Sequence, residues 1–131
     1  MYRRRARHRT TLVLSAAVVL LGGVGLSSCG KDEVELVEGV TENVDAVDNS
    51  FAPEEITVQA GTEVTFTNRG RNDHNVVPAD DDQDWDIAVD DFKPGTEAAP
   101  IAFGEPGTFD YFCSIHGTAT AGMTGTITVE G

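Results

Sequence analysis

Short runs in which apolar and polar residues alternate make up most of the chain from residue 44 onward. Ile56 and Val58 alternate with polar neighbours, and so do Val64 and Phe66. Glycine, proline and asparagine separate these runs, and no window shows the 3.6-residue period of a helix. Alternation at period two is typical of strands with one buried face, so we expect an all-β fold, an antiparallel sandwich or barrel.

Residues 1–28 have the features of an export signal. Five arginines lie within the first nine residues, and an apolar, glycine-interrupted run follows from Leu12 to about Leu26. The run is shorter than the roughly 20 apolar residues of a membrane-spanning helix. It ends in Leu26-Ser27-Ser28-Cys29, which resembles the lipobox of bacterial lipoproteins, where the cysteine is lipidated. We therefore expect an exported protein that is anchored to a membrane through Cys29.

Three alternatives for this segment stay open. Cys29 is incidental if the signal ends in an ordinary cleavage site, and export permits a disulfide between Cys29 and Cys113. The arginines also fit twin-arginine export as well as the general secretory route.

The rest of the chain is predicted to be a short acidic tether, residues 29–43, followed by one small domain, residues 44–131. Without residues 1–28, four basic residues stand against 22 acidic ones, a net charge of −18. Nucleic acid is excluded as a partner, since phosphate binding needs a basic surface. The acidic surface fits either docking of a basic protein or solubility in a salty habitat.

Residues 30–131 contain one cysteine, two histidines and one methionine: Cys113, His74, His116 and Met123. Three of these fall within eleven residues, and Cys113 continues an alternation of apolar residues that points its sulfur toward the core. One thiolate, two imidazoles and one thioether form the ligand set of a mononuclear blue-copper centre, which exchanges one electron as Cu(I) and Cu(II).

Other chemistries fit this inventory less well. Structural zinc prefers more cysteines and does not use methionine, and haem attachment needs a Cys-x-x-Cys-His sequence that is absent. A copper enzyme needs an open coordination position or a second metal, and the chain offers no second ligand set. We therefore expect a protein that is not an enzyme.

The residues from about Val44 to Val129 resemble a plastocyanin-like cupredoxin. The similarity lies in the segments 51–58, 61–68, 74–77, 107–116 and 122–129, which include His74-Asn75 and Cys113-Ser114-Ile115-His116. The resemblance implies a Greek-key β-sandwich with type 1 copper at one end. It also implies that His74, Cys113 and His116 are equatorial ligands and Met123 the axial ligand. In the family an asparagine after the first histidine holds the ligand loops, a role that implies Asn75 acting near Ser114.

One departure from the family pattern concerns the ligand loop. Plastocyanin usually has four residues between the second histidine and the methionine, whereas here six separate His116 from Met123. We expect the longer loop to change both the surface around His116 and the reduction potential.

The function predicted from these observations is one-electron transfer between extracytoplasmic redox proteins by a monomeric, membrane-tethered carrier. The alternative is a copper carrier or storage lipoprotein without an electron-transfer role. Such proteins tend to have additional methionines and histidines, which this chain lacks.

Overall fold

The structure, a computed structural model, describes residues 40–131. The predicted export signal, the lipidation site Cys29 and most of the predicted tether lie outside the described residues. Within residues 40–131, no helix is long and apolar enough to cross a membrane.

Eight strands and one 3-10 turn form the described part of the chain. The strands are β1 (Thr41–Val47), β2 (Ser50–Ala52), β3 (Glu55–Gln59), β4 (Thr62–Asn68), β5 (Val77–Pro78), β6 (Ile101–Phe103), β7 (Gly107–Thr118) and β8 (Ala121–Glu130), and the 3-10 turn spans Val89–Asp91. One sheet has the order β2-β1-β4-β6 and the other the order β3-β8-β7-β5. The predicted all-β sandwich of the cupredoxin type is confirmed.

The expectation of a purely antiparallel arrangement is wrong. Strand β1 pairs with β4 in parallel, and β3 pairs with β8 in parallel. Between β1 and β4 the chain crosses to the other sheet to form β3, so it returns to the first sheet in the same direction. Period-two alternation records which face of a strand is buried and carries no information about strand direction.

The first strand begins before the predicted domain boundary at Val44. Thr41 already pairs with Glu63 of β4, so the last three residues of the predicted tether form sheet. The side chains at positions 41–43 are exposed, and they therefore produce no alternation that a sequence pattern could reveal.

The core lies between the two sheets and is rich in aromatic contacts. Phe66 of β4 and Tyr111 of β7 pack edge to face with ring centroids 5.3 Å apart, and Phe51 lies 4.9 Å from Tyr111. Trp85 covers this cluster from a loop, 5.2 Å from Phe103. Aromatic pairs in this geometry add to the stabilisation from burial and fix the two sheets against each other.

Candidate metal centre

Three of the four predicted ligands meet at one end of the sandwich. The Cys113 sulfur lies 3.7 Å from Nδ1 of His74 and 3.6 Å from Nδ1 of His116, and the two Nδ1 atoms are 3.1 Å apart. The point equidistant from the three atoms is about 2.0 Å from each, close to the roughly 2.0–2.3 Å bonds that nitrogen and sulfur form with a transition metal. The triangle therefore has the size that a trigonal metal site requires.

Strand β7 provides two of the three ligand residues, and its pairing with β8 is interrupted where they lie. The regular register runs to Phe112 and resumes at Gly117, so Cys113 and His116 lie in the irregular stretch between them. Cys113 keeps the core-facing direction of Tyr111 and is fully buried, whereas His116 is only partly buried. The irregular pairing allows both side chains to reach one point.

His74 comes from the segment between β4 and β5 and is completely buried. Asn68, at the end of β4, organises this segment with its side chain. Its Nδ2 donates to the carbonyls of Asn72 and Phe92 at 3.0 and 2.8 Å, and its Oδ1 accepts from the Gly70 N–H at 3.0 Å. Sequence reasoning missed this role, for which the only signal is an Asn-x-Gly turn sequence after a strand.

Asn75 joins the two segments that hold the ligands. Its Nδ2 donates to Ser114 Oγ at 2.8 Å, and its Oδ1 accepts from the Ser114 backbone N–H at 2.8 Å. The contact that the resemblance implied is thus present, and it links the neighbours of His74 and Cys113 directly.

Met123 is the first buried residue of β8, with 1% of its surface exposed. Two glycines bring its backbone close to the ligand stretch. A Cβ at Gly117 would lie 2.6 Å from the Met123 nitrogen, and one at Gly122, where φ is +88°, would lie 2.6 Å from the His116 carbonyl oxygen. Only glycine permits this approach, because any Cβ would clash with the facing backbone. The contacts at Gly117 and Gly122 therefore fix the position of the Met123 backbone next to the ligand stretch.

The six residues between His116 and Met123 form an extended hairpin. Gly117 pairs with Gly122 and Thr118 pairs with Ala121, which leaves two residues at the tip. The loop between His116 and Met123, which is longer than that of plastocyanin, therefore consists of paired strand residues that begin directly after His116.

Burial, reinforced by the charge of His116, lowers the pKa of His74. A lowered pKa favours the neutral imidazole, and only the neutral form has the lone pair that a metal ligand needs. Three lone-pair donors at these distances with no carboxylate among them are a soft nitrogen and sulfur set, which suits copper better than magnesium or calcium.

Comparison with known families gives the same metal. The family model described as copper binding proteins, plastocyanin/azurin family, matches residues 38–130. The chain belongs to this family. The predicted resemblance is confirmed, and the donor set that the structure assembles binds one copper ion.

Individual relatives are plastocyanins. The chloroplastic plastocyanin of Physcomitrium patens is 39% identical over 86 residues, which cover 61% of this chain and 50% of the moss protein. The chain thus matches only half the length of that relative. The plastocyanin of Scenedesmus fuscus is 36% identical over 87 residues, covering 61% of this chain and 86% of the algal protein.

Solved structures share the fold. A purple cupredoxin from Nitrosopumilus maritimus superimposes with a TM-score of 0.57 at 22% identity, covering 68% of this chain and 99% of that one. The copper-containing nitrite reductase of Thermus scotoductus gives a TM-score of 0.58 at 29% identity, over 70% of this chain and 23% of that one. The fold therefore occurs both as an independent small protein and as part of an enzyme.

Proposed function

We propose that this protein carries single electrons between redox proteins by means of one copper ion, which His74, Cys113 and His116 would hold together with Met123. The observation that carries the proposal is the triangle of one sulfur and two Nδ1 atoms, with sides of 3.1–3.7 Å. Such a set tolerates both Cu(I) and Cu(II), and the bound ion supplies the one-electron couple.

The ligand residues are held so that little has to move when an electron arrives. Asn75 ties the His74 segment to the Cys113 segment through two hydrogen bonds, and the β7–β8 hairpin fixes the His116 and Met123 segments against each other. Ligands whose orientation is fixed by surrounding hydrogen bonds and backbone pairing resist rearrangement. This rigidity favours electron transfer over copper delivery, because a carrier that releases its ion benefits from ligands that can open.

Electrons are proposed to enter and leave at His116. It is the one member of the triangle that is not fully buried, and Ile115 beside it is 47% exposed. The chain from Ser114 to Thr124 has no charged residue, so a partner can approach this end without desolvating charge.

The acidic surface is proposed to attract a basic partner. In residues 40–131 each lysine and arginine side chain pairs with a carboxylate: Arg69 with Asp45, Arg71 with Asp48, and Lys93 with Asp73 and Asp90. The remaining carboxylates therefore give this part of the chain an uncompensated negative charge. We propose that the contact includes the Asp80–Asp82 run, which lies beside Thr108–Asp110 of β7. We expect the rate of electron exchange with a cationic redox protein to fall as salt rises, because the charges are screened beyond about 10 Å at 0.1 M. A rate independent of ionic strength would rule out electrostatic docking.

We also propose that the protein works outside the cytoplasm, tethered through a lipid on Cys29. The support is the arginine-rich, apolar signal sequence and the Leu26–Cys29 motif. Mass spectrometry of the membrane fraction should show an acylated N-terminal Cys29. Recovery of Cys29→Ser in the same fraction and amount would refute the anchor.

Voltammetry of the copper-loaded chain tests electron carriage against copper storage. We expect a reversible one-electron wave and self-exchange that is fast on the scale of copper release. An irreversible wave, with copper lost in each reduced cycle, would favour the storage function. Cys113→Ser is the control, because it removes the thiolate and leaves a side chain of similar size.

A further inference from the structure

We propose that Asp48, in the turn between β1 and β2, is a positioning residue for His74. Its carboxylate acts on Nε2, the outer nitrogen of the ring, which faces away from Cys113 and His116. The two groups face each other across the space that a Cβ at Gly70 would occupy. The proposal rests on the copper site proposed above and adds a residue that lies outside it.

The outer nitrogen of His74 is an unusual group in this domain. His74 is 0% exposed, and its Nε2 has no hydrogen-bond partner in the described part of the chain. Because Nδ1 faces Cys113 and His116, a neutral ring that offers its lone pair there must carry its proton on Nε2. A buried N–H donor thus points away from the metal centre, and a nearby acceptor or negative charge would stabilise it.

Asp48 is the carboxylate that borders the same space. A Cβ at Gly70 would lie 3.1 Å from His74 Nε2 and 2.8 Å from Asp48 Oδ1. Both atoms therefore flank one point above Gly70, and they lie no more than about 6 Å apart, within the range where a carboxylate acts strongly on an imidazole. Any larger residue at position 70 would fill the space between them.

The turn that carries Asp48 is fixed against the His74 segment. Asp48 Oδ1 accepts the Arg71 N–H at 2.7 Å, and the Gly70 N–H donates to the Ala46 carbonyl at 2.9 Å. The Arg71 backbone hydrogen bond lowers the pKa of Asp48, so its charge persists at neutral pH.

The charge of a carboxylate within about 6 Å of the outer nitrogen of a metal-bound histidine increases the basicity of the ring without a direct hydrogen bond. A more basic imidazole binds Cu(II) more tightly relative to Cu(I), because the ion of higher charge gains more. Asp48 should therefore hold the reduction potential below the value that the four ligands alone would give.

The test compares Asp48 with Asp45 of strand β1 in the full copper-loaded chain. Asp48→Asn is expected to shift the Cu(II)/Cu(I) equilibrium about tenfold toward the reduced form, which is about 59 mV for one electron. Asp45→Asn is the matched control, since Asp45 also carries a charge and pairs with Arg69, 2.8 Å away. We expect it to shift the potential much less. Equal shifts in the two variants would overturn the proposal, because the effect would then be general surface charge.

Two further readouts separate positioning from folding. The thiolate-to-copper absorption should survive in Asp48→Asn, while the ¹⁵N resonance of His74 Nε2 in the reduced chain should move. Loss of the absorption in this variant alone, or an unmoved resonance, would overturn the proposal. Absence of the absorption in the unmodified chain would instead refute the copper site itself.

Discussion

The link between Asn75 and Ser114 gives a graded prediction. Asn75→Ala removes both hydrogen bonds of the link, whereas Ser114→Ala removes only the one to Oγ and leaves the backbone N–H without change. Each hydrogen bond contributes about 1 kcal/mol to the free energy of unfolding. We expect a loss of about 2 kcal/mol in Asn75→Ala and about 1 kcal/mol in Ser114→Ala.

The assay is denaturant unfolding of the copper-free chain, followed by circular dichroism and tryptophan fluorescence, for both variants. For a domain of this size the larger loss corresponds to a fall of roughly 10 °C in the melting temperature. Copper affinity should fall in the same order, by roughly 10–100-fold in Asn75→Ala, because the two ligand segments lose their connection.

Equal losses in the two variants would refute this reasoning. That result would mean that the bond to the Ser114 backbone contributes nothing to the free energy of unfolding beyond the bond to Ser114 Oγ.

Two predictions concern packing near the site. Gly122→Ala should destabilise the chain by about 1 kcal/mol or more beyond Gly95→Ala in thermal unfolding: both glycines have positive φ (+88° and +85°), but only the first would place a Cβ against His116, 2.6 Å from its carbonyl oxygen. Equal losses would show that backbone strain is the whole effect. Tyr111→Phe should stabilise the chain by about 1 kcal/mol, because the buried hydroxyl has no hydrogen-bond partner within residues 40–131. A clear loss of stability in denaturant unfolding would contradict this.

The sequence predicted the ligand residues of the site better than the strand pairing and the contacts that position them. After Cys29 the sequence contains one cysteine, Cys113, and two histidines, His74 and His116, so composition alone identified them as candidate ligands. The structure brings these three side chains together. The alternation in β7 correctly predicted the buried direction of Cys113. These inferences succeeded because they depend on residue type and on period, both of which are local.

The features that the sequence did not reveal depend on contacts between distant segments. The parallel pairing of β1 with β4 follows from a crossover between sheets, which alternation does not encode. The hairpin formed by residues 117–122 contains only glycine, alanine and threonine, and the sequence predicted a loop there without its strand pairing. The approach of Asp48 to His74 joins positions 26 residues apart in two turns, and no motif marks it.

The proposed function depends above all on Cys113 binding copper as a thiolate. The most direct test is the visible and electron paramagnetic resonance spectrum of the Cys29→Ser chain after addition of Cu(II), because Cys113 is then the sole thiol. We expect an intense thiolate-to-copper band with narrow copper hyperfine splitting, which ascorbate bleaches and reoxidation restores. A weak or absent band, with the chain folded, would show that Cys113 is only a buried core residue and would refute the copper site.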